Sequence, residues 1–559
     1  MVVVIFSCIY IGIITFGVGA LTIYSLNRLF LNNVYSLFTY ILSGIISITV
    51  YIQVFSIFGK IGALSHIILI TLAILGFLLM KKESLNKLKD MKDVMFSWEG
   101  IFYLGYILLI AFCASRGTFH TDTNIYHAGS IRIYEEYGLI KGIGNLQLHY
   151  AYNSSYLAYA AAFSLNWLFN KSIHTTTAFF EIIMSLYAFY GLKRYKEHKY
   201  HMADMMKAAI LFYVLIILSG SMSPATDYTT MLMAMAVISC WCDNMENSRS
   251  IHNYALISVL SVYVITMKFS AALSVLIVIY PLIVLIKEKK FKDIFKYLML
   301  GMIILFPFLI RNYFISGWLL YPFDKIDIFN VEWKIPAEYL KHDAAQIKVW
   351  GKCLYDVDKL NAPLKEWVPV WWEAKERHQM MLIYGIVIGL IFTFWQSISF
   401  FIKKTDIKWD YFVLAISNIG CLAVWFFMSP FIRYGRAYIL AIIFIPIGVV
   451  LSFKSKGFLA IFNGVMVFLL VVCTMPYFDN YILETCVFAK QNLKEPYYIV
   501  QKDYDDAKTG QIDINGNIIY YCDEGEVNSY HYFPNTCYKT MLERTTLISD
   551  NIRDGFKAK

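Results

Sequence analysis

The sequence predicts an all-α polytopic membrane protein. Hydrophobic residues make up 58% of its 559 positions and charged residues only 16%, with a mean hydropathy of +0.54, whereas an average soluble chain carries roughly 25% charged residues. The apolar residues fall in runs close to the ~20 needed to cross a ~30 Å hydrocarbon core as helix. Lysine clusters separate those runs. Lipid is therefore the expected solvent, and the bilayer the first partner.

Windows of about 19 residues pick out runs near Val2 to Tyr24, Val34 to Phe55, Ile61 to Met80, Trp98 to Ala114 and Thr175 to Leu192. Further runs lie near Ala208 to Ser221, Ala225 to Trp241, Tyr254 to Thr266, Phe269 to Ile286, Tyr297 to Phe314, Met380 to Ile402, Tyr411 to Met428, Ala437 to Leu451 and Phe458 to Met475. The expected total is about fourteen transmembrane helices. The first run has neither a basic flank nor a small-residue cleavage site, so it reads as a retained span.

The basic segments 81–92, 193–199, 287–296, 403–408 and 454–456 are expected on the cytoplasmic side. Alternation then puts both termini outside, together with the segments 116–174, 315–379 and 477–559. The parity closes only if Tyr156 to Phe169 does not span. The expected organisation is a three-helix segment at 1–97, a membrane core at 98–476 with external loops 116–174 and 315–379, and an extracytoplasmic α+β tail at 477–559. A cell's inner (cytoplasmic) membrane suits this plan. The net charge of +9 lies in short loops and implies no nucleic-acid partner.

From Asn124 to Tyr137, apolar and aromatic residues gather on one face and Gly138 follows, the pattern of an interfacial helix. Tyr156 to Phe169 reads as a second one. In the tail, Ile512 to Tyr520 reads as two short strands around Asn515-Gly516. Ten cysteines show no metal-binding spacing, and Cys522 with Cys537 leave a tail disulfide open if the compartment is oxidising.

Ionisable residues at helix ends are the informative ones, because a charge at a helix centre costs roughly 2.5–3.5 kcal/mol on insertion scales. Asp122 follows the fourth span and is either an N-cap or a general base, with His127 close enough in sequence to share its site. Asp227, in Ser223-Pro224-Ala225-Thr226-Asp227, is either turn chemistry or a second functional carboxylate. Lys268 either snorkels or points into a cavity. Arg311, Arg433 and Arg436 sit at outer helix ends, against the usual bias, and guanidinium forks suit phosphate. The competing reading is a structural ion pair. His149 completes the external list, and Glu135 and Glu136 read as a solvated face.

The segments Asp122-x-x-x-Tyr126-His127, Tyr137-Gly138, Gly142-Ile143-Gly144-Asn145-Leu146 and Asn153-Ser154-Ser155-Tyr156 resemble a family of bacterial envelope membrane proteins labelled LIC_10190. The likeness continues through Ser223-Pro224-x-x-Asp227, Met267-Lys268-Phe269-Ser270, Arg311-Asn312-Tyr313, Leu320-Tyr321-Pro322, Pro430-x-x-Arg433-Tyr434-Gly435, Asn535-Thr536-Cys537 and Gly555-Phe556. The order of parts resembles GT-C glycosyltransferases. That resemblance implies a GT-C-like core, a sugar donor on a polyprenyl phosphate or diphosphate, and Asp122 as catalytic base. Three spans precede the one carrying Asp122, and Asp-Thr replaces the frequent Asp-Glu.

The expectation is therefore a membrane glycosyltransferase of cell-envelope polysaccharide or lipopolysaccharide assembly, either modifying one glycan or polymerising repeat units. It would take a lipid-linked donor and a glycan acceptor, alongside other envelope-glycan assembly proteins. Catalysis would rest on Asp122, His127 and Asp227, and lipid phosphate on Lys268, Arg311, Arg433 and Arg436, with a divalent metal left open. The rival is a flippase of lipid-linked oligosaccharide, which would hold its charges near the bilayer midplane.

Overall fold

A computed structural model describes residues 1–30, 33, 35–116, 120–191, 202–451, 499–504, 506–522 and 530–559. The first helices are α1 Val2–Phe30, α2 Leu37–Phe58, α3 Ala63–Leu79, α4 Lys81–Met95 and α5 Trp98–Arg116. The first segment expected to be external holds α6 Ala128–Glu136, α7 Ile143–Leu146, α8 Ser155–Ala162 and α9 Asn166–Phe169. Then come α10 Thr176–Gly191, α11 Met202–Ile217, α12 Thr226–Asn247, α13 Ile251–Met267, α14 Ile279–Lys287 and α15 Phe291–Ser316. A second segment expected to be external carries α16 Ala337–Gly351 and α17 Leu364–Glu373, before α18 Arg377–Ile402, α19 Lys408–Met428 and α20 Ile432–Leu451.

Among the described residues, eight helices are long and apolar enough to cross a membrane, or nine if α3 and α4, bent by 95°, count as one broken span. Three shorter apolar helices lie within α5, α10 and α13. The protein is thus an all-α multi-pass membrane protein by length and composition. The expected run at 458–475 and the basic segments 193–199 and 454–456 lie outside the described residues. The bend after α3 falls where the apolar run meets Lys81-Lys82 and α4 turns polar.

One hydrophobic core joins α1 to α3, α5, α8, α10 to α13, α19 and α20, so the first three helices share the interior of the rest. Where α1 crosses α2, Gly19 lies over the Tyr40 carbonyl and Gly44 over that of Thr15. Small residues let two backbones approach this closely in lipid.

The bundle has two distinct ends. Leu88, Phe30 and Leu300 pack together, and Arg249 donates to the Asp406 carbonyl at 2.7 Å, which gathers the described basic segments at one end. At the other, the Val3 N–H donates to the Ile499 carbonyl at 2.9 Å. The chain's start therefore lies beside the tail.

The helices read as interfacial are in fact enclosed by protein. α6 buries Ile131, Ile133, Tyr134 and Glu135, and all eight residues of α8 are buried. Their companions are α2, α12, α13 and the tail rather than lipid. The run Tyr156 to Phe169 breaks at Phe163, and only α9 turns Trp167, Leu168 and Phe169 outward. Glu135 departs from its expected solvated face because the tail covers it. Its carboxylate accepts from Ser172 Oγ at 2.7 Å and from Asn166 Nδ2 and Tyr530 OH at 3.3 Å, and burial raises its pKa.

The tail holds β1 Thr509–Ile514 and β2 Asn517–Cys522, paired antiparallel, then β3 Asn535–Thr536, α21 Lys539–Glu543, and the pair β4 Thr545–Leu547 and β5 Phe556–Ala558. Asn515 and Gly516 both have positive φ, the geometry an Asn-Gly hairpin favours. Ile519, Phe533, Leu542 and Phe556 pack onto Ile133, Ile140, Ile143 and Leu146, so tail and first external segment form one apolar body. Cys537 sits against Gln147, which donates to its Sγ at 3.3 Å.

Candidate functional site

Four chain segments meet at the end of the bundle beside the tail. They are the turn before α6, the start of α12, the end of α13 and the start of α20. They bring His120, Asp122, Asp227, Lys268 and Arg433 together.

Asp122 is not a helix cap. Its backbone is already α-helical and its carboxylate makes no capping bond. Instead Oδ2 accepts from Arg433 Nη2 at 3.3 Å and lies 3.8 Å from His120 Nδ1. Its side chain keeps 19% of its surface exposed, enough to meet a substrate. Burial alone would raise its pKa, but Arg433, His120 and His127 outweigh that and hold it below the usual carboxylate range.

Asp227 likewise makes no cap bond, since Ala225 fills that position in α12. Its carboxylate is buried, paired with Lys268 through Oδ1 and 3.3 Å from Arg433 Nε through Oδ2. Lys268 ends α13 in extended conformation. It points inward rather than snorkelling, with Nζ 3.8 Å from the centroid of the Tyr434 ring.

Arg433 is the hub of the cluster. Besides both aspartates it reaches His120 Nε2 at 2.7 Å and the Tyr434 hydroxyl at 3.1 Å. His120, absent from the sequence-derived candidates, is the residue that reasoning from sequence missed. Its only signal was a position two residues before Asp122. The Asp122 N–H faces its Nδ1 at 3.1 Å while Arg433 faces Nε2. A neutral imidazole has one acceptor nitrogen, so one of these two contacts is frustrated. Burial lowers the His120 pKa, and the nearby Arg433 and Lys268 charges act in the same direction.

His127 lies one layer deeper. Its Nε2 is 3.4 Å from Thr226 Oγ1, its Nδ1 has no hydrogen-bond partner among the described residues, and burial pulls its pKa down to about 3. Tyr126 packs on it with ring centroids 4.3 Å apart.

The remaining expected residues separate. Arg436 follows Arg433 by about one turn of α20, and its Nε is buried without a hydrogen-bond partner. It forms no ion pair among the described residues. Arg311 is not in this cluster. It donates to the Gly138 carbonyl at 3.2 Å and to Asn153 Oδ1 at 3.4 Å, and contacts Ser56 Oγ. Gly138, at φ +76°, packs against the Ser56 and Gly59 carbonyls, where a side chain would collide. His149 stacks on Tyr126 at 5.5 Å. α17 closes over the base of α20 through Trp371 Nε1, which donates to the Pro430 carbonyl at 2.9 Å.

His120, Asp122 and Asp227 each offer one ligand atom, and these atoms all lie within 4.8 Å of one another. A neutral imidazole with two carboxylates is a donor set suited to a divalent ion. Without one, two aspartates balance Lys268 and Arg433, and the cluster is close to neutral.

Residues 1–440 match the model of a family described as "Domain of unknown function (DUF8201)", and the chain belongs to that family. No curated protein and no solved structure matches the chain.

Proposed function

We propose that the protein is a membrane glycosyltransferase that uses a sugar on a polyprenyl phosphate or diphosphate at the outer face of the bacterial cytoplasmic membrane. The observation that carries this reading is the Asp122 carboxylate. It is partly exposed at a helix end, free of a capping role, and held by an arginine shared with three other side chains. The resemblance to GT-C enzymes gives the same residue the role of base.

The acceptor hydroxyl gives its proton to Asp122, its oxygen bonds to the anomeric carbon, and the electron pair of the breaking C–O bond leaves on the lipid phosphate. Arg433 lowers the basicity of Asp122 while the two are paired. A phosphate that draws Arg433 away removes this effect, so donor binding switches the base on. Arg436, which has no acid partner among the described residues, supplies the positive charge for that phosphate. Lys268 holds Asp227 in place, and Asp227 orients the acceptor. Where a divalent ion is required, His120, Asp122 and Asp227 would hold it, and it would supply further charge for the departing phosphate.

The expected acceptor is an envelope glycan, and the reading covers both single transfer and repeat-unit polymerisation. The test is a liposome assay with a polyprenyl-linked sugar donor and a glycan acceptor. Asp122→Asn is expected to lower glycosidic bond formation by about 10²–10⁴-fold, the usual scale of acid–base catalysis. Unchanged transfer in that variant would sink Asp122 as base. Translocation of the lipid without any new glycosidic bond would replace the transferase reading by a flippase.

A further inference from the structure

Near the outer end of α15, Arg311 is buried with no ion pair among the described residues. Its partners are all neutral: the Gly138 carbonyl, Asn153 Oδ1 and Ser56 Oγ, with the Tyr134 ring centroid 4.1 Å from its Cζ. A guanidinium stays protonated in a protein, so a full positive charge is enclosed here among dipoles. Buried charges of this kind are ordinarily paired.

Beside the guanidinium lies a cavity of about 20 Å³, with Tyr126, Tyr134, His149, Asn153, Ser154 and Arg311 among its walls. That is room for one small ion or one to two waters, and too little for a phosphate or a sugar. Ser154 Oγ is buried in the same wall without a hydrogen-bond partner among the described residues. The cavity thus offers a cation, an idle hydroxyl donor and a volume of one ion.

We propose that this cavity is a binding site for a monatomic anion of chloride size, held by Arg311 and the Ser154 hydroxyl. Tyr126 separates it from the Asp122 cluster, forming part of its wall and packing on His127 at 4.3 Å on the other side. The anion is therefore structural. It neutralises the guanidinium that ties the end of α2 at Ser56, the end of α6 at Gly138, and Asn153 to α15. Those ties brace the external segment that carries Asp122, and the inference requires nothing of the transferase reading.

The test uses the full chain, purified in detergent, with thermal unfolding followed in chloride, bromide and gluconate at constant ionic strength. Chloride and bromide are expected to raise Tm saturably by about a few degrees over gluconate. Ser154→Ala, which keeps the guanidinium, is expected to raise the half-saturating halide concentration by about tenfold, the scale of one hydrogen bond to a charged group. Arg311→Met is expected to abolish the effect. Bromide-soaked crystals should show an anomalous peak between Arg311 and Ser154. Equal Tm in halide and gluconate for the unmodified protein would mean that water fills the cavity, and a halide response unchanged in Ser154→Ala would place the ion elsewhere. Either result overturns the proposal.

Discussion

The two ends of the bundle each carry a buried aspartate paired with an arginine, and the pairs are built differently. At the basic end, Asp410 accepts from Arg249 through both oxygens, at 3.1 and 3.2 Å, and from the Tyr254 hydroxyl at 2.7 Å, while Trp241 donates to its carbonyl at 3.1 Å. Every acceptor is filled by a donor fixed in a helix or loop of the bundle. At the tail end, Arg433 is shared among two aspartates, a histidine and a tyrosine, at 2.7 to 3.3 Å. Around it His127 Nδ1, Thr123 Oγ1 and Arg436 Nε have no hydrogen-bond partner among the described residues. Saturation marks a lock that joins helices, whereas surplus donors and acceptors mark a place built to receive something.

Cutting each site sharpens that contrast. Asp410→Asn is expected to leave Arg249 half-paired and to cost up to about 3 kcal/mol, the scale of a buried group left short of a partner, because Arg249 keeps 38% of its side chain exposed. Denaturant unfolding would show it, and the protein that remains folded should keep its rate of transfer. A variant as stable as the parent would end the description of this end as a lock.

Arg436→Gln has the next largest expected effect. Loss of a charged hydrogen bond is worth about 1.5–3 kcal/mol, so KM for the lipid-linked donor should rise about tenfold or more while Tm stays near the parent value. A Tm loss with unchanged KM would assign Arg436 to structure.

The smallest effect concerns pH. His127 and His174 are both buried with pKa lowered from 6.5 to about 3. The unfolded chain therefore binds more protons than the folded one below pH ~7, and stability falls as pH drops through 6.5 toward the folded values. Between pH 7 and pH 6 each contributes a loss of about 0.7 kcal/mol by that linkage. His174→Gln should make Tm less sensitive to acid over this interval than in the parent, without touching the Asp122 cluster. A Tm–pH profile identical in parent and variant would show that His174 is not buried neutral.

Much of the architecture was legible from one dimension. The apolar runs located helices because lipid forces each crossing to satisfy its own backbone, and Asn515-Gly516 located the hairpin because few other pairs tolerate two positive φ values. Asp122, Asp227, Lys268 and Arg433 were picked out because charges at helix ends in such a chain need a reason. Other features were out of reach. Glu135 looked solvated because the tail that covers it lies about 400 residues away in sequence, and packing against α2, α12, α13 and the tail turned two supposed interfacial helices into interior ones. His120 was overlooked because a histidine gains significance only from what faces it.

The sequence by itself determined that the chain lives in lipid, where its helices fall and which charges are out of place, since these follow from local hydropathy and turn chemistry. Only the tertiary structure decided that Asp122 is bound to Arg433 instead of capping a helix, that Arg311 lines a separate small cavity, and that His120 completes the cluster. Those partners come from α5–α6, α12, α13 and α20, segments separated by up to 313 residues. Contacts over such separations are set by how helices pack, which no local pattern of residues encodes.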